Sequence, residues 1–414
     1  MKLVVLAAGK GERLRPITDT RPKPLVKILN KPAICWAIER SLSAVKPDDG
    51  VVVVVSPGAR GEIAGLECVS SLNEVQVVEQ EKPLGTAHAL LQALEATGYS
   101  DVLLVYSDVY LSRGAEEAIA KLEESSILVG RTDRPWEYGV IRVDGDRVVD
   151  VVEKPSIGSE PSNLVFVGVA LLAEEHLRLL RSIRKSPRGE YELTDLLLEI
   201  ARSEGLGFRV YEGPWRDVGR PWDLLIANRI ALDREVEDSK IDGEVHPTAV
   251  IEGKVVVEEG AEIGAYTVIE GPAYIARRAR VGPGSHIRPY TILLENSRVG
   301  YAVEVKGSII MEGAKAPHFN YVGDSIVCES VNLGAGTITA NLRFDKRTIK
   351  MTVKGVRVDT GLKKLGAVIG AYAQTGINVS IMPGVKIGSH AIVWPGCVVD
   401  RDVPSNSVFR CDKA

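Results

Sequence analysis

The chain has 414 residues, room for two or three domains. Its 26% charged content and formal net charge of −4 exclude the global basic field of a nucleic-acid binder, and no apolar run reaches the length of a membrane span, so neither partner is expected. The five cysteines, Cys35, Cys68, Cys328, Cys397 and Cys411, show no CxxC or histidine spacing, so reduced thiols in a cytoplasmic protein are expected.

The first residues, Met1 to Gly9, have the apolar look of a signal sequence but run at once into a glycine-rich turn. A buried first strand is the better reading. Val51–Val55, Val102–Tyr106 and 127–129 follow as buried strands, and 33–42, 87–96 and 115–124 as helices. That alternation predicts an α/β domain over 1–230 with a mainly parallel sheet, its last helix over 221–233. A linker, 231–244, then leads to a second domain over 245–414.

That second domain is marked by period. Twelve consecutive sixth positions are apolar: Val245, Ile251, Val257, Ile263, Ile269, Ile275, Val281, Ile287, Leu293, Val299, Val305 and Met311. The period breaks and resumes in a new phase at Ile369, Thr375, Ile381, Ile387, Val393 and Val399. Six fits neither a helix nor a flat strand pair. It fits a solenoid whose unit is one short strand plus a turn, three units closing a triangular coil. The one interruption, over 338–365, is long enough to be a functional loop.

Chemistry gathers just after the first strand. In Leu6-Ala7-Ala8-Gly9-Lys10-Gly11-Glu12-Arg13, the two glycines let successive backbone N–H groups approach phosphate oxygens, and Arg13 adds a forked cation suited to pyrophosphate. Lys23, between Pro22 and Pro24, sits on a stiff extended segment that would hold its point charge in one place. Asp108 ends a buried strand, where ligands bind in open α/β sheets.

These residues resemble the sugar-1-phosphate nucleotidylyltransferases, whose signature is GxGTRLxPxT followed by PKP; Glu12 stands in place of the usual Thr. The resemblance implies a Rossmann-like nucleotidyltransferase domain. It implies nucleotide contacts from Leu6, Ala7, Ala8, Gly9 and Gly11, and from Gln80, Gly85 and Thr86 in a base-reading loop. It makes Arg13 and Lys23 catalytic and Asp108 and Asp217 the ligands of Mg²⁺. Gly139, Glu153, Lys154 and Asn163 would line the sugar pocket.

A prism needs only apolar sixth positions and small turn residues, so further polar residues require a reason. Arg288 and Lys306 lie one coil apart and should stack as an anion site. With His318-Phe-Asn-Tyr321-Val-Gly-Asp324 and Asn332-Leu-Gly-Ala335-Gly-Thr-Ile-Thr-Ala-Asn341, this half resembles the acetyltransferase part of the bifunctional enzymes of UDP-N-acetylglucosamine synthesis, in their archaeal layout. That resemblance implies a left-handed parallel β-helix of hexapeptide repeats that forms a homotrimer. Arg288 and Lys306 would bind the sugar phosphate, and Tyr321, Asn332 and Asn341 the sugar. His318 would be the general base, a role that suits an imidazole. Ala335 and Ala371 would line the acetyl-CoA groove, with UTP or dTTP the other cosubstrate. The tail after Val399 is shorter than in bacterial members. The competing expectation is a single-activity glucose-1-phosphate nucleotidylyltransferase whose prism only trimerises or regulates.

Overall fold

The structure, a computed structural model, describes residues 1–123, 125–203 and 205–411. Contacts divide the chain into two compact units. One holds Met1–Lys10, Pro22–Leu25 and Pro32–Asp217; the other holds Gly11–Arg21, Val26–Lys31 and the chain from Val218 onward. The division therefore departs from a boundary at residue 230. Helix 221–235 groups with the repeat, and so does Val26–Lys31, whose Leu29 N–H donates to Asn228 Oδ1 at 2.7 Å.

The first unit is a three-layer sandwich. Its strands are β1 (Lys2–Ala7), β2 (Val51–Val55), β3 (Val75–Glu79), β4 (Val102–Tyr106), β5 (Val109–Leu111), β6 (Ser126–Arg131), β7 (Gly139–Asp144), β8 (Arg147–Glu153), β9 (Leu164–Leu172), β10 (Leu206–Val210) and β11 (Trp215–Asp217). Nine of them form one sheet in the order β3-β2-β1-β4-β9-β6-β10-β8-β7. Alternate residues of β1 and β2 enter opposite cores. Val4, Leu6, Val52 and Val54 pack with helices α2 (Thr86–Thr97) and α4 (Leu193–Ser203); Leu3, Val5, Val51 and Val53 pack with α1 (Ala33–Ala44) and α3 (Ala115–Ala120). In α2 the buried residues are Ala87, Ala89, Leu90, Ala93 and Leu94, of which 87, 90, 93 and 94 follow the spacing of an amphipathic helix. The third helix is shorter than expected, and Glu124, the last residue expected in it, lies outside the described residues.

The sheet is mixed, not mainly parallel. β3, β2, β1 and β4 run parallel, but β9 is antiparallel to β4 and β6, and β8 to β7 and β10. A parallel crossover needs about a dozen residues. β7 and β8 are joined only by the turn at Gly145, whose φ of 57° suits glycine. Leu6 pairs with Tyr106, so the loop after β1 and Asp108 share one sheet edge.

In the second unit the six-residue period builds three parallel sheets around one core. Val245 pairs with Ile263, Ile251 with Ile269, Val257 with Ile275 and Ile287 with Val305, each eighteen positions on. Each fully buried Val or Ile in that column contributes about 1.5–3 kcal/mol. The period then slips by one residue. Leu293 pairs with Ile310 and Val305 with Val322, seventeen positions on, so Ile310 and not Met311 enters the prism core. The shortened corners lie between Val305 and Ile310, at Gly307 (φ 56°), and between Val322 and Val327, at Asp324 (φ 46°). The strands that matter below are β12 (His286–Ile287), β13 (Glu304–Lys306), β14 (Lys315–His318), β15 (Tyr321–Gly323) and β16 (Ile338–Thr339). The excursion follows β16. Ile338 pairs with Tyr321 of the preceding coil and finds its next partner only at Ser380, and the inserted chain carries a hairpin of β17 (Lys350–Val353) and β18 (Val356–Asp359).

The cysteine expectation is corrected. Cys35 pairs with Cys68 and Cys397 with Cys411, at Cα separations of 5.6 and 5.3 Å; Cys328 is a buried free thiol. Separations of 33 and 14 residues carry no sequence signature, because only packing brings these pairs within reach.

One ion-pair group in the second unit makes its stability pH-dependent. Arg21 reaches Glu312 at 2.9 Å and Lys27 reaches the same carboxylate at 3.0 Å. Burial pushes the Glu312 carboxyl up, but Arg21 and Lys27 outweigh it and hold the pKa at about 2. A folded pKa below the ordinary 4.5 means stability that is present above that value and lost as pH falls toward 2. The thermal midpoint of this unit is expected to fall over that window, and Glu312→Gln to flatten the fall. Parallel melting curves of the two proteins check this; identical slopes would refute it.

Candidate functional site

In the first unit, a cluster forms at the sheet edge where β1 and β4 end. The Lys23 side chain is buried and its ammonium donates to Asp108, with Asp217 Oδ1 4.0 Å away. Asp217 closes β11, whose antiparallel partner is β5; Asp217 faces Val109, so two carboxylates distant in sequence converge on one cation. Gly9 lies against the Lys23 stem, since a Cβ there would sit 3.7 Å from its Cδ. Leu6, Ala7 and Ala8 are buried and Gly9 is exposed. Two acids facing a charge between them are a donor set that fits Mg²⁺, whose remaining positions are ordinarily filled by water and substrate phosphates.

The loop from Gln80 to Thr86 is braced from behind. Gly85 has φ 114°, and a Cβ on it would lie 2.3 Å from the Tyr191 carbonyl oxygen. Tyr191 N–H donates to Leu84 O at 2.7 Å, Ala87 N–H to Tyr191 O at 3.0 Å, and Leu193 N–H to Thr86 Oγ1 at 2.9 Å. Gln80 is buried, and its side-chain amide donates to Gly85 O and contacts His88 Nδ1 at 3.0 Å. Its donor half therefore serves the loop itself. Gly85→Ala is expected to cost about 1–3 kcal/mol and to raise KM for the nucleoside triphosphate. Melting and initial-rate measurements check it; an unchanged midpoint would show that the loop has room.

A second group lies at the β7 and β8 ends. Thr194 Oγ1 donates to Glu153 Oε2 at 3.1 Å, and Lys154 pairs with Glu153 Oε1 at 3.1 Å. Gly139 leaves the space they use, since its Cβ would meet Thr194 at 2.6 Å. Arg188, which no sequence pattern singles out, reaches Glu192 at 2.7 Å and Glu153 at 3.3 Å. Burial first, and then repulsion from Glu153, hold the Glu192 and Asp195 carboxyls above their ordinary range. The group is rich in acceptors for sugar hydroxyls. Asn163 stands apart on the surface, bonded by Arg131 at 3.2 Å.

Gly11 and Arg13 belong to the second unit. Gly11 has φ 68°, its carbonyl accepts from Thr18 Oγ1 at 2.7 Å, and Arg13 lies in the short turn Glu12–Leu14 that follows.

The second unit's own cluster lies on the sheet containing β12, β13, β15 and β16. Because Ile287, Val305 and Val322 point inward, their neighbours point out. Arg288 and Lys306 therefore stack on successive coils. Arg288 pairs with Glu304 at 2.8 Å. Lys306 reaches Asp324 Oδ2 at 3.3 Å, and Asn341 Nδ2 donates to the same oxygen at 2.7 Å and to the Tyr321 hydroxyl at 3.3 Å. Gly323 is the gap they fill, since a Cβ there would lie 2.6 Å from that hydroxyl. Burial, then Glu304 and Asp324, push the Tyr321 phenol up, so it remains a hydrogen-bond donor. His318 ends β14 beside Tyr301, exposed; its backbone N–H donates to Asn320 Oδ1 at 3.1 Å, and buried Asn320 ties this corner to Gly334 O at 2.8 Å.

Not every expected residue joins this group. Asn332 bridges Lys315 and Gln374 on the face of the prism that carries β14 and His318, not on the face of β12, β13, β15 and β16. Ala371 is fully buried, and its carbonyl accepts from His390 N–H at 2.8 Å; Ala335 is half-buried, with its carbonyl bonded by Asn378 N–H. Asp324 and Asn320 belong to the His318 segment, yet the motif alone gives them no role; polar residues in a repeat that needs none are the signal that points to them.

Comparison with known proteins bears on both units. The nucleotidyl transferase family model matches residues 2–234, the GMPPB C-terminal domain model 269–365, and the bacterial transferase hexapeptide model 366–401. The chain is 44% identical to a bifunctional sugar-1-phosphate nucleotidylyltransferase/acetyltransferase of Sulfurisphaera tokodaii, over 99% of this chain and 100% of that protein. It is 39% identical to the bifunctional protein GlmU of Methanocaldococcus jannaschii, over 100% and 98%, and 30% identical to that of Bartonella quintana, over 98% and 92%. Among the described residues no helix is long and apolar enough to cross a membrane.

Proposed function

The chain belongs to the bifunctional sugar-1-phosphate nucleotidylyltransferase/acetyltransferase family, and from that membership we propose that it acetylates glucosamine-1-phosphate with acetyl-CoA and couples the product to UTP or dTTP, releasing pyrophosphate. Glucose-1-phosphate is a further substrate of the same nucleotidyl site. One observation carries the acetyl half. A prism needs no polar face, yet this one gathers Lys306, Tyr321 and Asn341 at a buried carboxylate, Asp324, and pairs Arg288 with Glu304 on the same face. A purely trimerising scaffold has no use for that cluster.

For acetyl transfer, Arg288 and Lys306 hold the sugar phosphate, and Tyr321 and Asn341 orient the sugar. The amine attacks the thioester carbon, the C–N bond forms and the C–S bond breaks. His318 takes the amine proton and returns it to the departing thiolate. Ala335 and Ala371 contact acetyl-CoA through their backbone segments.

For nucleotidyl transfer, a sugar-phosphate oxygen attacks the α-phosphorus in line and pyrophosphate leaves. The attacking phosphate is already an anion, so the chain need supply no base. Lys23 neutralises the reacting phosphates and Arg13 the leaving pyrophosphate. Leu6, Ala7, Ala8, Gly9 and Gly11 contact the nucleotide, the glycine turn through backbone N–H groups on the triphosphate, and Gln80, Gly85 and Thr86 receive the base. Gly139, Glu153, Lys154 and Asn163 take the sugar. Asp108 and Asp217 would hold Mg²⁺, which supplies charge neutralisation between the two substrates.

The proposed assembly is a homotrimer through the prism, whose exposed Phe344, Val356, Ile377, Trp394 and Val398 offer apolar surface for a second copy. The proposed location is the cytoplasm, where both cosubstrates occur; the paired cysteines lend it no support. The test is one assay of glucosamine-1-phosphate with acetyl-CoA, with and without UTP. Free N-acetylglucosamine-1-phosphate without UTP, and its UDP-sugar with UTP, are expected. No acetylated product in either arm would leave the nucleotidyl activity alone.

A further inference from the structure

The carboxylate at the centre of the prism cluster has a third partner. The Asp324 side chain is almost wholly buried, and its two oxygens are used differently. Oδ2 takes Lys306 at 3.3 Å and Asn341 at 2.7 Å. Oδ1 takes the Arg229 guanidinium at 2.8 Å. Arg229 comes from helix α5 (Pro221–Glu235), from the stretch matched by the nucleotidyl transferase family model, not from the repeats. Gly307 makes the approach possible. A Cβ there would lie 2.7 Å from Asp324 Oδ1 and 3.0 Å from the Arg229 terminal nitrogen. The guanidinium also lies over the Tyr290 ring, 5.6 Å from its centroid, and the Tyr290 hydroxyl is bonded to Asp233 of the same helix.

Charge counting gives this contact a consequence. With only Asp324 and Lys306, the pair is neutral, and the lysine is spent on a buried carboxylate that must have a counter-charge. With Arg229 on the other oxygen, the trio carries a surplus of one positive charge, and the Lys306 ammonium can be shared with a phosphate. Resting on the reading that Lys306 binds the sugar phosphate and Asn341 the sugar, we propose that Arg229 is a positioning residue of the acetyl-transfer site. It holds Asp324 in place and frees the charge of Lys306 for the substrate. The acetyl-transfer site therefore depends on a residue outside the repeats.

The test is steady-state acetyl transfer by the full chain, varying glucosamine-1-phosphate at saturating acetyl-CoA. Arg229→Met is expected to raise KM for the sugar phosphate by at least about tenfold, with kcat within about threefold. Arg229→Lys keeps the charge and should stay within about threefold of the unaltered chain in KM. The double variant Arg229→Met/Asp324→Asn removes the uncompensated anion along with its partner and should recover much of the lost affinity. A merely structural role for Arg229 predicts the opposite, that the double variant is no better than the single. A KM for Arg229→Met within twofold of the unaltered chain, or a double variant as poor as the single, overturns the proposal. If the unaltered chain itself transfers no acetyl group, the reading beneath it fails first, whatever the variants do.

Discussion

His318→Ala loses acetyl transfer by about 100- to 10,000-fold and keeps nucleotidyl transfer, which is the expected result if this imidazole is the general base. The residue ends β14 at an exposed corner, and its own backbone is fixed by Asn320, which stays in place in the variant. Little packing is lost with an exposed ring, so the loss of rate should come with an unchanged melting temperature. His318→Asn is the companion variant: it keeps a polar group of similar reach but cannot take the proton. Both activities are measured on the same preparation. Acetyl transfer that survives in both variants would remove His318 from the mechanism.

Lys23→Met is expected to act on the other reaction, lowering nucleotidyl transfer by about 100- to 1,000-fold while acetyl transfer continues. The physical ground is the placement of the ammonium. It is buried, bonded to Asp108 and 4.0 Å from Asp217, so its charge faces both carboxylates. Its removal also leaves two partly exposed carboxylates facing each other without their shared cation, which lowers stability. Lys23→Arg separates the two effects. It keeps the positive charge and much of the stability, but a planar fork cannot occupy the place of a compact ammonium. Poor nucleotidyl transfer in a well-folded Lys23→Arg protein supports a direct role; full activity there would reduce Lys23 to a counter-ion.

Much of the fold is legible in the amino-acid sequence. The apolar sixth positions from Val245 to Val305 all lie along the prism interior, because inside and outside alternate locally and a triangular coil repeats that choice every six residues. The strand runs Val51–Val55 and Val102–Tyr106 form as expected, and Asp108 lies just past a strand end at the sheet edge that gathers Lys23. The order of motifs along the chain is enough to place it in its family.

Other features depend on partners that periodicity cannot see. Met311 keeps the count of six, yet Ile310 enters the core, because Gly307 turns one corner with a residue fewer. Cys35 and Cys68 pair because α1 packs against the short helix Glu67–Ser70, not because of any spacing between them. In sequence Asp324 is only the end of a turn; the fold gives it Lys306 from the preceding coil, Asn341 across the excursion's start, and Arg229 at a separation of 95 residues. The sequence by itself determined the two halves, their chemistry and the apolar skeleton, since each is written in short-range pattern. The tertiary structure alone decided which charges neutralise one another, because a buried carboxylate takes its partners from whatever the folded chain brings within about 3 Å, however far apart they lie in sequence.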